Sequence, residues 1–236
     1  MTDQKTLLLT GASRGIGHAT VKRFEREGWR VLTCSRQPFD PRCPWPNGEA
    51  NHIQIDLASP DKTIAAIETI KAKINGRLDA LVNNAGISPK GPGGARLNTL
   101  ETDLRTWGQV FHVNFFASIV LARGFKDELA AAKGSVVNVT SIAGVRVHPF
   151  AGAAYATSKA ALAALTSGAN VAAVPVVPQT PAENRIATTP QRYPRSISES
   201  LQHVGNHRAR GDHPRTIAFQ PCPRHRAFQQ KSDMGR

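Results

Sequence analysis

The stretch that most limits what this chain can fold into is Thr10-Gly11-Ala12-Ser13-Arg14-Gly15-Ile16-Gly17, set between a short apolar run and a helical pattern. Gly11 permits a tight turn, Gly15 lets the backbone approach a pyrophosphate, and Gly17 allows the following helix to pack close to the strand. A pyrophosphate would then sit at the positive end of that helix, facing unpaired N–H groups. The candidate dinucleotide contacts are Gly11, Ser13, Arg14, Gly15, Ile16 and Gly17. A glycine-rich turn can also be a turn and nothing more. Its place directly after a strand and before a helix favours the nucleotide reading.

The chain on either side fits this context. Apolar runs predict strands at Thr6 to Leu9, Arg30 to Cys34, His52 to Ile55, Ala80 to Val82 and Ser135 to Val139. Between them, helical patterns run over His18 to Glu27, Thr63 to Ile74, Leu104 to Leu121 and Tyr155 to about Thr166. In the second helix Ile64, Ile67, Ile70 and Ile74 form the expected core-facing stripe. A loop rich in Gly and Pro spans Ser88 to Arg96. Alternation of this kind predicts βαβ units and an α/β fold, a Rossmann-type doubly wound parallel sheet.

The pattern breaks after Thr166. Pro175, Pro178 and Pro181 forbid a continuing helix and cannot sit in a central strand. From Asn184 to Arg236 the chain is dominated by Arg, His, Pro, Gln and Ser, a composition too poor in apolar residues to offset chain entropy. The expected organisation is therefore a dinucleotide-binding domain over residues 1–166 and a Pro/Arg/His-rich, disordered or poorly folded tail over residues 167–236. The abruptness of the change favours a shift of reading frame near Thr166 over a divergent C-terminus.

Tyr155 and Lys159 stand four apart in a helical pattern, so they share one face. A free phenol has a pKa near ~10, too high for acid-base work at neutral pH, and a neighbouring ammonium lowers it. Tyr155 can then exchange a proton with a substrate oxygen while hydride moves to or from a nicotinamide. Ser141 can hydrogen-bond the same oxygen. Taken singly, Tyr155 reads as packing, Lys159 as a solvated face, Ser141 as the start of a loop and Asn114 as a helix-interior hydrogen bonder. Their order behind a nucleotide motif favours catalysis.

The spacing Thr-Gly-x-x-x-Gly-x-Gly resembles that of the short-chain dehydrogenase/reductase family. Four further elements match in order: Asp56-Leu57, Asn83-Asn84-Ala85-Gly86, Asn114 within His112-Val113-Asn114-Phe115, and Ser141 followed by Tyr155-Ala156-Thr157-Ser158-Lys159. The resemblance covers Met1 to about Thr166. It implies an NAD(P)-dependent oxidoreductase working on a carbonyl or secondary alcohol, with a 3-oxoacyl thioester among the candidates. It implies that Asp56 and Leu57 contact the adenine, and that Asn83, Ala85 and Gly86 shape the cofactor cleft. By the same resemblance Asn114 holds a water linking Lys159 to solvent, and Lys159 also binds the nicotinamide ribose. Family members continue into a sixth strand, a substrate-covering loop and a last strand. Here only Asn170 to Pro175 faintly echoes the sixth strand, without its glycine. Family members form homo-oligomers, an assembly that loss of the last strand would weaken. The alternative function is a catalytically inactive, frameshifted remnant that at most binds the dinucleotide.

Cofactor preference turns on the end of the second strand, where an acid indicates NAD and an Arg accommodates a 2′-phosphate. Cys34-Ser35-Arg36 has no acid before Asp40, and Arg14 adds a second positive charge, so NADP(H) is expected over NAD(H). Cys34, Cys43 and Cys222 lack metal-ligand or disulfide spacing and read as free thiols, and no metal is expected. The formal net charge of +13 is dispersed, without a recognisable nucleic-acid module, so no nucleic-acid partner is expected. No apolar run reaches the ~18 residues of a membrane span, and Met1 to Lys5 lacks a signal-peptide layout, so a cytoplasmic, non-membrane protein is expected.

Overall fold

The computed structural model describes residues 4–43, 45, 48–168 and 176–179. Its elements are β1 (Thr6–Thr10), α1 (Gly15–Arg26), β2 (Arg30–Ser35), β3 (His52–Gln54), α2 (Pro60–Ile74), β4 (Ala80–Asn83), α3 (Leu104–Phe111), α4 (Ala117–Gly124), α5 (Lys126–Ala132), β5 (Ser135–Val139), α6 (Ala153–Gly168) and β6 (Val176–Gln179). All strands pair in parallel, in the order β3-β2-β1-β4-β5-β6. Strand order reverses between β1 and β4. The ends of these two strands therefore bound the crevice where ligands of such sheets bind.

Pleating explains the run of leucines in β1. Leu8 joins Leu32, Leu81 and Val136 beneath α2 and α4, whereas Leu7 and Leu9 join Val31, Val82 and Val137 beneath α1. Both faces of the sheet are covered, so a strand must be apolar at every position, and β1 is buried throughout. A Gly28 turn at φ 80° ends α1 and returns the chain to β2.

Three expectations meet a different structure. Ile64 is 55% exposed, and the buried stripe of α2 is Thr63, Ile67, Ile70 and Ile74. Those four fall within an arc of about 60° at roughly 100° per residue, and Ile64 stands about 60° outside it. The helix expected over Leu104 to Leu121 is interrupted by a π-helical turn, His112–Phe116, which inserts an extra residue around Asn114. No helix is described between β2 and β3; instead Phe39, Cys43 and Trp45 pack on the α1 face of the core. The sixth strand is present and begins after the faint echo at Asn170 to Pro175. Val136 pairs with Val176 and Val139 with Gln179. Pro178 within it is tolerated because β6 ends the described strand order, where an edge position asks less of each N–H. The sheet thus runs past residue 166. The rest of the expected tail, the last strand and Cys222 lie outside the described residues.

Among the described residues no helix is long and apolar enough to cross a membrane. Nor does any cluster of three His, Cys, Asp or Glu among them suit a metal ion. Cys34 and Cys43 form no disulfide with each other, and burial pushes the Cys34 thiol up to about 12, which leaves it unreactive.

Candidate active site

The glycine-rich turn is bound to the end of β4 by three residues. Asn84 Nδ2 donates to the carbonyls of Thr10 and Gly11 at 3.0 and 2.9 Å. The backbone N–H groups of Asn84 and Ala85 in turn donate to Thr10 Oγ1 at 3.1 and 3.0 Å. Space there is scarce. A Cβ on Gly17 would lie 2.2 Å from the Gly11 carbonyl oxygen, and one on Gly11 would lie 2.8 Å from Ala85 Cα. Gly15 differs, having φ 58° and open space where a Cβ would point. That cradle, with backbone exposed at Gly15, suits close approach of a pyrophosphate. Arg14 occupies the N-cap of α1 with extended backbone and no capping side-chain bond, which leaves the helix's first N–H groups facing the crevice. Ser13 and Ile16 are exposed beside it.

At the far end of β2, Arg36 is exposed and its carbonyl accepts from Gln54 Nε2 at 3.0 Å. Among the described residues neither Arg14 nor Arg36 makes a side-chain ion pair. Asp40, the first acid after β2, is buried and held by Arg42 through Nε and NH2 at 3.0 and 2.9 Å. Asp56 Oδ1 accepts from Ala58 N–H at 3.1 Å, fixing the turn after β3, and Leu57 is buried in the core.

The other half of the crevice comes from β5, the π turn and α6. Lys159 is 3% exposed, and its Nζ donates to the Val139 carbonyl at 2.6 Å. Burial lowers its pKa from 10.5 to about 8. Asn114 lies alongside: Oδ1 accepts from Ile87 N–H at 2.8 Å, and Nδ2 donates to the Ile87 carbonyl and to Ser158 Oγ, each at 3.0 Å. Ser158 Oγ donates to the Tyr155 carbonyl at 2.8 Å, so Asn114 is tied through one hydroxyl to the turn of helix that carries Tyr155. Both Nδ2 hydrogens are therefore committed, and a lone pair of Oδ1 is what remains for a water. A Cβ on Gly86 would make ordinary contacts, 3.5 Å from both Asn114 Oδ1 and Lys159 Nζ, so Gly86 borders this corner. Tyr155 is half-buried on the same face of α6 as Lys159. Ser141 Oγ accepts from Ala143 N–H at 3.2 Å, which leaves its own O–H proton to donate.

The family model for short chain dehydrogenases matches residues 5–175. This chain belongs to the short-chain dehydrogenase family. It is 60% identical over 166 residues to Protein FixR of Bradyrhizobium diazoefficiens, covering 70% of this chain and 60% of that one. It is 32% identical over 177 residues to an NADPH-dependent 1-acyldihydroxyacetone phosphate reductase of Schizosaccharomyces pombe, covering 74% of this chain and 57% of that one. The chain thus spans about three-fifths of the length of these curated relatives. Among solved structures, a short-chain dehydrogenase/reductase oxidoreductase of Brucella ovis, in complex with a partially ordered NAD, superposes with a TM-score of 0.74 at 52% identity. That superposition covers 87% of this chain and 91% of the Brucella chain.

Of the candidate residues of this short-chain dehydrogenase, the structure gathers Asn114, Tyr155, Lys159 and Gly86 at one corner, and Gly11, Gly15 and Gly17 at the other. Asn83 is placed differently. Its side chain is buried and donates to Asn138 Oδ1 at 2.8 Å, while Asn138 donates to Thr166 Oγ1 at 3.0 Å, a polar chain running within the protein toward α6. Four residues of consequence were not singled out as site residues in the sequence: Thr10, Asn84, Ser158 and Asn138. Thr10, Asn84 and Ser158 stand inside the quoted motifs, but nothing in their spacing signals a bond across the fold.

Proposed function

We propose that this chain transfers hydride between NADP(H) and a ketone or secondary alcohol, with Tyr155 as the acid-base residue. One observation carries the reading: a buried ammonium, Lys159, stands one helical turn from Tyr155 at the crevice formed where strand order reverses. Bound NADP(H) would supply or accept the hydride. Lys159, largely protonated below about pH 8, places its ammonium one helical turn from Tyr155, on the face where the phenol would exchange a proton with the substrate oxygen. Ser141 donates its free O–H to that oxygen and stabilises the charge developing there. Asn114 and Ser158 hold the tyrosine's turn in place.

Support for NADP(H) over NAD(H) comes from Arg14 and Arg36, and from Asp40, whose carboxylate is taken up by Arg42 and does not stand as a ribose acceptor. An NADPH-dependent relative is consistent with this preference. A 3-oxoacyl compound is one substrate candidate. We also read the chain as a non-membrane, cytoplasmic protein, with residues 1–166 supplying the nucleotide-binding unit.

The test is NADPH oxidation against a panel of ketones and 3-oxoacyl thioesters, with Tyr155→Phe alongside. Turnover is expected from the unaltered chain, and a loss of at least about a thousandfold in kcat with NADPH binding retained in the variant. Undiminished turnover by Tyr155→Phe would remove Tyr155 from the chemistry.

A further inference from the structure

The excess positive charge is not accounted for by hydride transfer. The chain has no Asp or Glu from Leu104 to Lys126, nor from Leu129 to Ala182, and none between Gly86 and Asn98. These stretches supply Asn114, Ser141, Tyr155 and Lys159, together with Lys90, Arg96, Arg146 and His148. These stretches carry no carboxylate side chain; Glu101 and Asp103 follow Arg96 in the same loop but do not line the cavity described next.

A cavity of about 280 Å³ lies there. Its lining includes Arg96 from the loop after β4, Arg146 and His148 from the segment joining Ser141 to Tyr155, and the small residues Ala143, Ala151 and Ala156. Ala156 directly follows Tyr155. The walls are fixed. Ala153 N–H donates to the Leu97 carbonyl at 2.9 Å, tying the Arg96 loop to the start of α6. Gly144 presses against α6 so closely that a Cβ would lie 2.7 Å from Ala160 N. Beside the cavity Val145, Val147 and Phe150 are exposed. Two guanidinium groups, Arg96 and Arg146, lining one small apolar floor, with no acid among the described lining residues, concentrate anions, and guanidinium forks match carboxylate and phosphate oxygens.

We propose that this cavity is the anion subsite of the substrate. The carbonyl compound carries a carboxylate or a phosphate ester, held by Arg96, Arg146 and His148, on an apolar stem that lies against Val145 and Val147. The inference rests on the reading of Tyr155 as the reacting end of the same site, and its test separates the two.

Three probes of equal chain length are compared: 7-oxooctanoate, its methyl ester and 7-oxooctyl phosphate. Binding to the full chain is measured by calorimetry with and without NADPH, and turnover by NADPH oxidation, for the unaltered protein and for Arg96→Gln and Arg96→Gln/Arg146→Gln. Thermal melts establish that the variants fold; if the double variant does not, the single one decides. The expected result is binding of at least one anion on the order of tenfold tighter than the ester, weakened by added salt, with the anion-to-ester ratio falling on the order of tenfold in the variants. Tighter carboxylate than phosphate, or the reverse, identifies which anion the site takes. Anion-selective, Arg96-dependent binding without turnover of any probe supports the subsite and removes the oxidoreductase reading. Equal handling of ester and anions, or an equal loss for all three in the variants, overturns the subsite even where the ester turns over.

Discussion

Replacing Lys159 by Met should change the protein's stability in a pH-dependent way that isolates the cost of its buried ammonium. The drop of its pKa from 10.5 to about 8 corresponds to about 3 kcal/mol. Below pH 8 the amine binds a proton in both folded and unfolded chains, so the folded state bears the whole cost. Between pH 8 and 10.5 the unfolded chain still binds the proton and the folded one does not, so stability rises with pH in that window and levels off above it. Met keeps the stem but has no charge to desolvate, and it leaves the Val139 carbonyl without its 2.6 Å donor, a loss of about 1.5–3 kcal/mol. The two effects nearly cancel at pH 7, so the slope is the decisive quantity. Urea unfolding of cofactor-free protein, read at several values between pH 7 and 10.5, should show the variant losing about 3 kcal/mol relative to the unaltered chain across the window. A flat difference would refute the claim that burial perturbs Lys159. A difference moving the other way would mean that the amine gains stability from its charge.

Gly17→Ala should weaken NADPH binding at least tenfold and lower the melting temperature, because its Cβ would meet the Gly11 carbonyl oxygen at 2.2 Å; unaltered affinity by fluorescence titration would count against the cradle. Ser158→Ala should destabilise the fold by about 1–2 kcal/mol through the stranded Asn114 donor, with kcat reduced more than KM changes, and Ser158→Thr should recover part of both. Arg36→Glu should shift the ratio of kcat/KM for NADPH over NADH downward by at least tenfold, and a constant ratio would remove Arg36 from cofactor choice. Resequencing the coding DNA around codons 160 to 175 should reveal a second frame that restores an aliphatic helix and a strand ending in Pro-Gly; confirmed DNA with no such frame would make the tail genuine.

Much of the fold was legible because strands buried on both faces read as unbroken apolar runs bounded by glycine or asparagine, as at Leu7 to Gly11 and Ala80 to Gly86. Tyr155 and Lys159 were legible for a related reason, since helical spacing alone puts them on one face. The π turn was not. One extra residue around Asn114 leaves the local composition helical, and only the i to i+5 bonding betrays it. The β2–β3 segment carried no assignment in the sequence: a crossover often supplies a helix, and here Phe39 and Trp45 cover that face of the sheet. Asn83 illustrates the limit for the site. It sits in a cofactor motif beside Asn84, but strand pleating turns neighbouring side chains to opposite sides, so one asparagine reaches the glycine turn and the other Asn138.

The bonds that join Asn84 to Thr10 and Gly11 bear on how quickly and tightly this crevice can load. A glycine-rich loop left free would sample many shapes, and a ligand would have to freeze one of them at an entropic cost. Here the carbonyls of the turn are held by a carboxamide from the neighbouring strand before any nucleotide arrives. The receptor for the pyrophosphate is cast in advance, and association is then governed by diffusion and by the field of Arg14 and Arg36, with no wait for the loop to find its form.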